Sequence, residues 1–345
     1  MKEGRSLVEL AEELTRQRQS MRDFKAPTKK LALESDNSLT IGKEIFHTNH
    51  LFLNQLAGWA GIPKKYFDRM QAEAPQLLAR NVNHWLEAQS ETRLVRTMDH
   101  TARAFLSHRY RCIDNVDIVE TVLPVFEEYG IASVSQEVTL NHLYLKAVNE
   151  RRTVDLKVGE KVQFGVCISN SEVGLGAVHV DPLVLTLSCL NGAVIADSGL
   201  RKFHIGRRVE QLEESFEVFQ DDTVLADNKA FFLKLRDVVK AALDEATMTE
   251  IVDAINEGAQ RRIGDGKNLE EVVEITSSKY GLSQLEADGV LRRLIDGRQM
   301  NQWGLSSAIT AMAQTVDSYE RSTDLEKLGG EILTLPETEW RELAA

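Results

Sequence analysis

Two clusters of basic and aromatic residues are the part of this 345-residue sequence whose side chains could act on a ligand together. Guanidinium groups neutralise phosphates and aromatic rings stack on bases, so this combination is typical of proteins that hold single-stranded nucleic acid. The alternative is that these are solvated residues paired with acids from the C-terminal part. The first cluster also contains Arg93, Arg96 and His108, and the predicted nucleic-acid-binding residues are Arg103, Phe105, Arg109, Tyr110, Arg111, Arg201, Lys202, Phe203, His204, Arg207 and Arg208.

Nucleophilic catalysis is the second chemistry that the residue types allow. Cys189 could supply a thiolate, with His204 as its base. However, Cys189 ends a long apolar run, where a buried and unreactive cysteine is the commoner case, and no third residue is placed to orient His204. Cys112 and Cys167 have no better claim, so we predict no catalytic residue.

Neither a metal ion nor a nucleotide cofactor is predicted. His47 and His50, and His179 with Asp181, lack the further ligands that a zinc or dinuclear site needs. The segment 174–179 lacks the third glycine of a dinucleotide fingerprint, and no phosphate-binding loop is present, because the residue after Gly266-Lys267 is asparagine. Any work on DNA is therefore expected to be independent of ATP.

The elements that would position these residues are predicted from apolar periodicity. Helices occupy the N-terminal part, strand-like runs with one helix follow from residue 92, and helices return after residue 220. This order predicts an α+β fold with a largely antiparallel sheet, N-terminal helices and a helical, acidic C-terminal part. Asn191-Gly192 is predicted to form a tight hairpin turn, and a last helix around Gly304–Leu328 is predicted to stop at Gly329-Gly330. Asp99-His100 is predicted to lie in the turn between two strands, and an amphipathic helix with Ile118, Val122 and Phe126 on its apolar face is predicted before Gly130. Ser283 with Glu286 has the spacing of a capping box.

Charge is distributed unevenly along the chain, which carries a net charge of −12. Residues 1–210 contain 27 lysines and arginines against 26 acidic residues, whereas residues 211–345 contain 14 against 27. This step predicts a core domain at 1–210 and an acidic helical domain at 211–345. The acidic part would repel phosphate and could instead bind partner proteins.

The sequence also bears on localisation. No run approaches 18 apolar residues, and the charged N-terminus lacks the apolar core of a signal peptide. Three cysteines without paired spacing suit a reducing compartment better than a disulfide framework. We therefore predict a cytoplasmic protein without a membrane partner.

Five segments between residues 62 and 207 carry a family resemblance. They are IPKKYFDRM (62–70), RAFLSHRYRCIDNVDIVETVLPVFEEYG (103–130), ISNSEVGLGA (168–177), LSCLNGAV (187–194) and RKFHIGR (201–207). In this order they resemble the phage/plasmid-like family whose domain is catalogued as domain of unknown function number 932, and WGLSSAIT (303–310) is similar to its C-terminal segment. The resemblance implies bacteriophages, prophages, plasmids and other mobile elements as the genomic context. It implies no catalytic residue, because none is established for the family.

Together these observations predict a mobile-element DNA-metabolism protein that binds single-stranded DNA and could promote annealing or recombination. A binding protein is favoured over an enzyme, and a homo-oligomer would suit this role. In the predicted mechanism, six of the arginines hold the backbone and three rings stack on bases. The six arginines are Arg103, Arg109, Arg111, Arg201, Arg207 and Arg208, and the three rings are Phe105, Tyr110 and Phe203.

Two alternatives belong to other functional classes. One is an enzyme whose site lies in the loop Ser169–Gly176 beside Asn191 and His204, with Ser169, Asn170 and Glu172 as its polar groups. The other is a protein-interaction or anti-defence factor that uses the acidic surface. The neutral charge of the first 210 residues weighs against mimicry of DNA by the whole protein.

Overall fold

The computed structural model describes residues 1–157, 159–195, 221–264 and 268–344. Over these residues the protein is α+β, as predicted, and its mostly antiparallel strands form two separate sheets. None of the described helices is long and apolar enough to cross a membrane.

The α-helices of the described residues are numbered here in chain order. They are α1 Leu7–Ser20, α2 His50–Trp59, α3 Lys64–Glu73, α4 Pro75–Ala88, α5 Asn115–Tyr129, α6 Asp221–Ala242, α7 Glu245–Gln260, α8 Leu269–Tyr280, α9 Gln284–Gly297, α10 Gln302–Ala313, α11 Tyr319–Thr334 and α12 Glu337–Ala344.

The strands are numbered in the same way. They are β1 Arg22–Pro27, β2 Leu31–Leu33, β3 Leu39–Ile41, β4 Glu44–Thr48, β5 Thr92–Met98, β6 Thr101–Ser107, β7 Ala132–Val138, β8 Leu143–Asp155, β9 Lys161–Asn170, β10 His179–Thr186 and β11 Asn191–Val194.

The chain folds into two compact units whose boundaries differ from the predicted division at residue 210. Unit 1 comprises Met1–Leu10, Asp117–Asn170 and Ala177–Ala345, and unit 2 comprises Ala11–Val116 and Ser171–Gly176. The charge step is not a packing boundary, because Phe164 and Val184 of the second sheet share one buried core with Trp303 of the acidic C-terminal part. Apolar burial, rather than charge, decides which segments fold together.

Unit 2 contains a six-stranded sheet in the order β1-β5-β6-β4-β3-β2. Its pairs are antiparallel except for β4 with β6. Asp99 and His100 both have positive φ, at 50° and 57°, which is the backbone of a tight turn between β5 and β6. The predicted turn at these two residues is confirmed.

A register shift between β5 and β6 decides where two arginines point. Arg96 is opposite Ala104, but the next residue, Thr97, is opposite Ala102, so Arg103 is an extra residue in β6. Such a bulge breaks the alternation of side chains between the two faces of a sheet. Arg96 and Arg103 therefore both reach Glu172 and Met21, although regular alternation would place them on opposite faces.

Unit 1 contains a five-stranded antiparallel meander in the order β11-β10-β9-β8-β7. The predicted hairpin turn at Asn191-Gly192 is wrong, because both residues lie in β11 and are opposite Thr186 and Leu185. The chain turns earlier, at residues 187–190, where Leu190 has a φ of 54°. The Asn191 amide donates to the Ser307 carbonyl, so a tertiary contact outweighs the preference of Asn-Gly for turns.

The predicted helix end at Gly329-Gly330 is also wrong, because both glycines lie inside α11. A Cβ atom at Gly330 would lie 2.0 Å from the Val194 carbonyl oxygen of β11, and one at Gly329 would lie 2.2 Å from Thr310 Cγ2 of α10. These glycines let α11 approach the sheet and α10 closely. The segment predicted as one last helix is two, α10 and α11.

Candidate nucleic-acid interface

The structure divides the first basic cluster into a buried part and an outer part. Arg103 is buried in an ion pair with Glu172, and Phe105 is buried against Phe52 and Trp59. A paired, buried guanidinium is not presented to a phosphate, and a ring packed on both sides cannot stack on a base. The predicted roles of Arg103 and Phe105 in nucleic-acid binding are therefore corrected: both residues belong to the interior of unit 2.

Arg96 lies at the centre of the buried part, with its side chain 1% exposed. Its Nε donates to Asp23 Oδ1 at 2.9 Å, and its Nη2 donates to Asp114 Oδ1 at 2.6 Å. Its third nitrogen, Nη1, donates to the Glu172 carbonyl oxygen at 3.1 Å. Each guanidinium nitrogen of Arg96 is therefore occupied, which explains how a charge can be buried at this position.

Arg103 binds the side-chain carboxylate of Glu172, whose backbone carbonyl is bound by Arg96. Arg103 Nη2 lies 2.6 Å from Glu172 Oε2, while Glu172 Oε1 accepts the backbone N–H of Asn115 at 2.7 Å. Both carboxylate oxygens and the carbonyl oxygen of Glu172 therefore accept hydrogen bonds. We call Arg96, Arg103 and Glu172 the arginine clamp, because together they fix the start of the segment 171–176.

Further contacts hold this segment, the 171–176 loop, in unit 2. Gln55 Nε2 donates to the Val173 carbonyl at 2.8 Å, and the Tyr110 hydroxyl donates to the Ser171 carbonyl at 3.0 Å. Gly174 has a φ of 82°, and a Cβ atom there would lie 2.5 Å from Leu106 Cδ2, so only glycine fits. Burial raises the pKa of the Tyr110 hydroxyl, which keeps it protonated as a donor.

The second half of the loop is exposed, in contrast to its first half. Ser171, Glu172 and Val173 are buried, whereas residues 174–176 face solvent, and Leu175 is 46% exposed. Sequence reasoning singled out the glycines of this loop and missed Leu175. The available signal was a lone leucine between two glycines in a polar loop.

The outer part of the first cluster includes the residues that remain candidates for ligand contact. Arg109 is exposed, and Tyr110 and Arg111 are partly exposed at the end of β6. Tyr110 also packs with Val173 of the loop, and Arg109 and Arg111 flank Tyr110 in sequence within unit 2. Arg93 is partly exposed and stacks on Trp59, with its Cζ 5.8 Å from the ring centroid.

The two units differ in charge more sharply than the two predicted domains do. The segments of unit 2 contain 16 lysines and arginines against 13 aspartates and glutamates, a net charge of +3. The remainder of the chain contains 25 against 40, a net charge of −15. The outer part of the first cluster therefore belongs to the only net-positive unit.

The second basic cluster (Arg201, Lys202, Phe203, His204, Arg207 and Arg208) lies outside the described residues.

The three cysteines differ in environment. Cys189 is exposed in the turn after β10, so the prediction that it is buried in the core is wrong. Its strand ends at Thr186, and the apolar run continues into the turn. Burial raises the pKa of Cys112 and of Cys167 to about 12 each, which keeps both as thiols rather than thiolates at neutral pH.

His204 of the alternative enzyme site lies outside the described residues, and the other residues of that site make contacts of their own. Ser169 and Asn170 are buried at the end of β9 in unit 1, whereas the rest of that stretch is the 171–176 loop of unit 2. Glu172 is paired with Arg103, and Asn191 contacts Ser307 and Gln314. Within the described residues, no group of three or more His, Cys, Asp or Glu side chains could hold a metal ion.

A second buried charge pair, which sequence reasoning missed, lies in unit 1 between β8 and α11. Lys146 Nζ is 2.5 Å from Glu326 Oε2, donates to Thr323 Oγ1 at 2.9 Å, and sits 4.5 Å from the centroid of the Tyr319 ring. Glu326 Oε1 is buried without a hydrogen-bond partner. Burial raises the pKa of the Glu326 carboxyl and of the Tyr319 hydroxyl. We call these four residues the polar interface.

Comparisons with known proteins do not place this chain in a class. No family model matches it, and neither the curated proteins nor the solved structures include a match. The resemblance to the phage/plasmid-like family stays a prediction.

Proposed function

We propose that this protein binds single-stranded DNA through unit 2 and acts, without ATP, in annealing or recombination of the DNA of a mobile element. The observation that carries the proposal is the outer part of the first cluster. Arg109, Tyr110 and Arg111 are all at least partly exposed and belong to the unit with net positive charge, and Tyr110 between the two arginines bonds to the 171–176 loop. Guanidinium groups beside a partly exposed ring suit the backbone and bases of a single strand.

The charge difference between the units supports this assignment of the binding surface. A phosphate backbone approaches a net-positive surface and is repelled by one that carries an excess of carboxylates. The acidic remainder of the chain therefore favours unit 2 for DNA and leaves its own carboxylates for basic partner proteins. Compared with the six arginines and three rings first predicted, the proposed surface relies on Arg109, Arg111 and Tyr110 among the described residues.

Titration of the full-length chain into a labelled single-stranded oligonucleotide tests the proposal. Fluorescence anisotropy at several salt concentrations gives the slope of log K against log salt, which counts the phosphates contacted. We expect Arg109→Ala to weaken binding and to reduce this slope by about 0.7, the value for one phosphate contact on a single strand. Arg69→Ala, which removes an exposed arginine of α3, is the matched control and should leave the slope unchanged.

Two results distinguish the proposal from its alternatives. If the full chain does not bind at low salt, the proposal is wrong, and the acidic interaction factor becomes the better hypothesis. If it binds, mixing complementary strands that carry a donor and an acceptor dye measures annealing, which should proceed without added nucleotide. Binding without faster annealing would retain the DNA-binding function and exclude the annealing role.

A further inference from the structure

The 171–176 loop is held far more firmly than an ordinary surface loop. The buried arginines Arg96 and Arg103 bind Glu172, the partly buried Gln55 binds the Val173 carbonyl, and the Tyr110 hydroxyl binds the Ser171 carbonyl, so residues 171–173 are each held by a side chain. Burying two arginines is costly unless every partner is in place. Such an arrangement fixes the position of whatever the loop presents at its tip.

The tip presents one apolar side chain. Leu175 is 46% exposed and is flanked by Gly174 and Gly176. Glycines on both sides leave the leucine without bulky neighbours in sequence, so another surface can approach it closely. A Cβ atom at Gly176 would meet nothing within 4 Å, which shows open space beside the tip.

The surroundings of this leucine indicate what it contacts. The Tyr110 hydroxyl bonds to Ser171 at the base of the loop, and the neighbouring Arg109 and Arg111 carry positive charge. An apolar tip on a loop that the basic segment 109–111 contacts through Tyr110 matches a polyanion that has flat apolar faces between its charged groups, which describes stacked nucleotide bases.

We infer that Leu175 is a wedge that inserts between two neighbouring bases of bound single-stranded DNA and unstacks them. The inference rests on the proposed function. Unstacking a base step costs free energy, so a wedge can hold two bases apart only if it does not move back, and the arginine clamp keeps the base of the loop in place. Strands held unstacked present their base edges for pairing, which suits an annealing protein.

The test uses a single-stranded oligonucleotide in which one adenine is replaced by 2-aminopurine, whose fluorescence rises when its neighbours unstack. Anisotropy of an end label on the same strand measures binding separately. We expect the wild-type chain to bind and to raise the 2-aminopurine signal. Leu175→Ala should lose more than about half of that rise while changing the affinity by less than about tenfold, because the charge contacts remain.

Leu77→Ala is the matched control, since Leu77 is an exposed leucine of α4 in the same unit at 54% exposure. It should leave both signals unchanged. Binding without a rise in 2-aminopurine fluorescence, or a full rise with Leu175→Ala, would overturn the wedge and leave the proposed function standing. Absence of binding in the anisotropy measurement would overturn the proposed function itself, and the wedge with it.

Discussion

The two units each bury a glutamate against a cation, and they do so in different ways. In unit 2, Glu172 has hydrogen bonds to both carboxylate oxygens, from Arg103 and from the Asn115 backbone. In unit 1, Glu326 contacts Lys146 through one oxygen, while the other oxygen has no hydrogen-bond partner. The Glu172 carboxylate is therefore satisfied, although Arg103 Nε is buried without a hydrogen-bond partner, whereas the Glu326 carboxylate is not satisfied.

This difference shows that buried charge serves two purposes in one chain. A carboxylate with hydrogen bonds to both oxygens has one favoured geometry, so the arginine clamp can fix the start of the 171–176 loop at Glu172. An incompletely satisfied carboxylate resists ionisation, and accordingly burial raises the pKa of Glu326. The polar interface is therefore sensitive to protons, while the clamp is a positioning device.

The largest expected effect comes from breaking the satisfied pair. Glu172→Ala leaves the Arg103 guanidinium buried without its carboxylate, which should lower the free energy of unfolding by about 3–5 kcal/mol. Urea denaturation measures this loss. Glu73→Ala, which breaks an exposed pair with Arg69 in the same unit, should cost less than about 1 kcal/mol. Equal losses for the two variants would show that the buried pair contributes no more to the free energy of unfolding than the exposed pair does.

An intermediate effect is expected from the loop glycines. Gly174→Ala combines a φ of 82° with a collision against Leu106, so it should cost about 1–3 kcal/mol. Gly176→Ala adds the same methyl group in open space and should be neutral. Thermal unfolding of both variants is the measurement, and equal melting temperatures would contradict the close fit at Gly174.

The smallest expected effect is a pH dependence of the unfolding free energy, which arises at the polar interface. Because the folded pKa of Glu326 is raised above its usual 4.5, the folded state holds this proton more tightly than the unfolded state does. The stability contribution is present below pH 4.5 and is lost as pH rises through the folded pKa. Asp324, whose pKa burial also raises, contributes with the same sign.

Glu326→Gln removes this titration but leaves the buried Lys146 without its carboxylate, so its unfolding free energy should fall less than that of the wild type as pH rises from about 4.5 toward neutrality. Denaturation curves of both proteins at several pH values measure the difference. Curves that stay parallel at every pH would contradict the raised pKa of Glu326.

Local sequence patterns predicted much of the fold. The turn at Asp99-His100, the amphipathic helix at residues 115–129 and the capping box formed by Ser283 and Glu286 are all observed, because each depends on neighbours within a few residues. Where a residue's partner is distant, the prediction failed. Asn191 and Gly330 carry turn and helix-end preferences that contacts with Ser307 and Val194 override.

The contrast between features set by near neighbours and features set by distant contacts is stronger at the candidate interface. Sequence identified the first basic cluster, but a repeat of arginines does not reveal which of them are exposed. The bulge that turns Arg103 toward Glu172 depends on the pairing of two strands, and the partner is 69 residues away. No local pattern encodes either fact.

By itself, the sequence determined the α+β class, the order of most helices and strands, and the uneven charge, since these follow from residue types and short-range periodicity. Only the tertiary structure decided that Arg96 and Arg103 are internal, that Arg109 is external, and that residues 171–176 belong to unit 2. The physical reason is that a buried charge needs partners at fixed distances, and folding brings those partners together from distant parts of the chain.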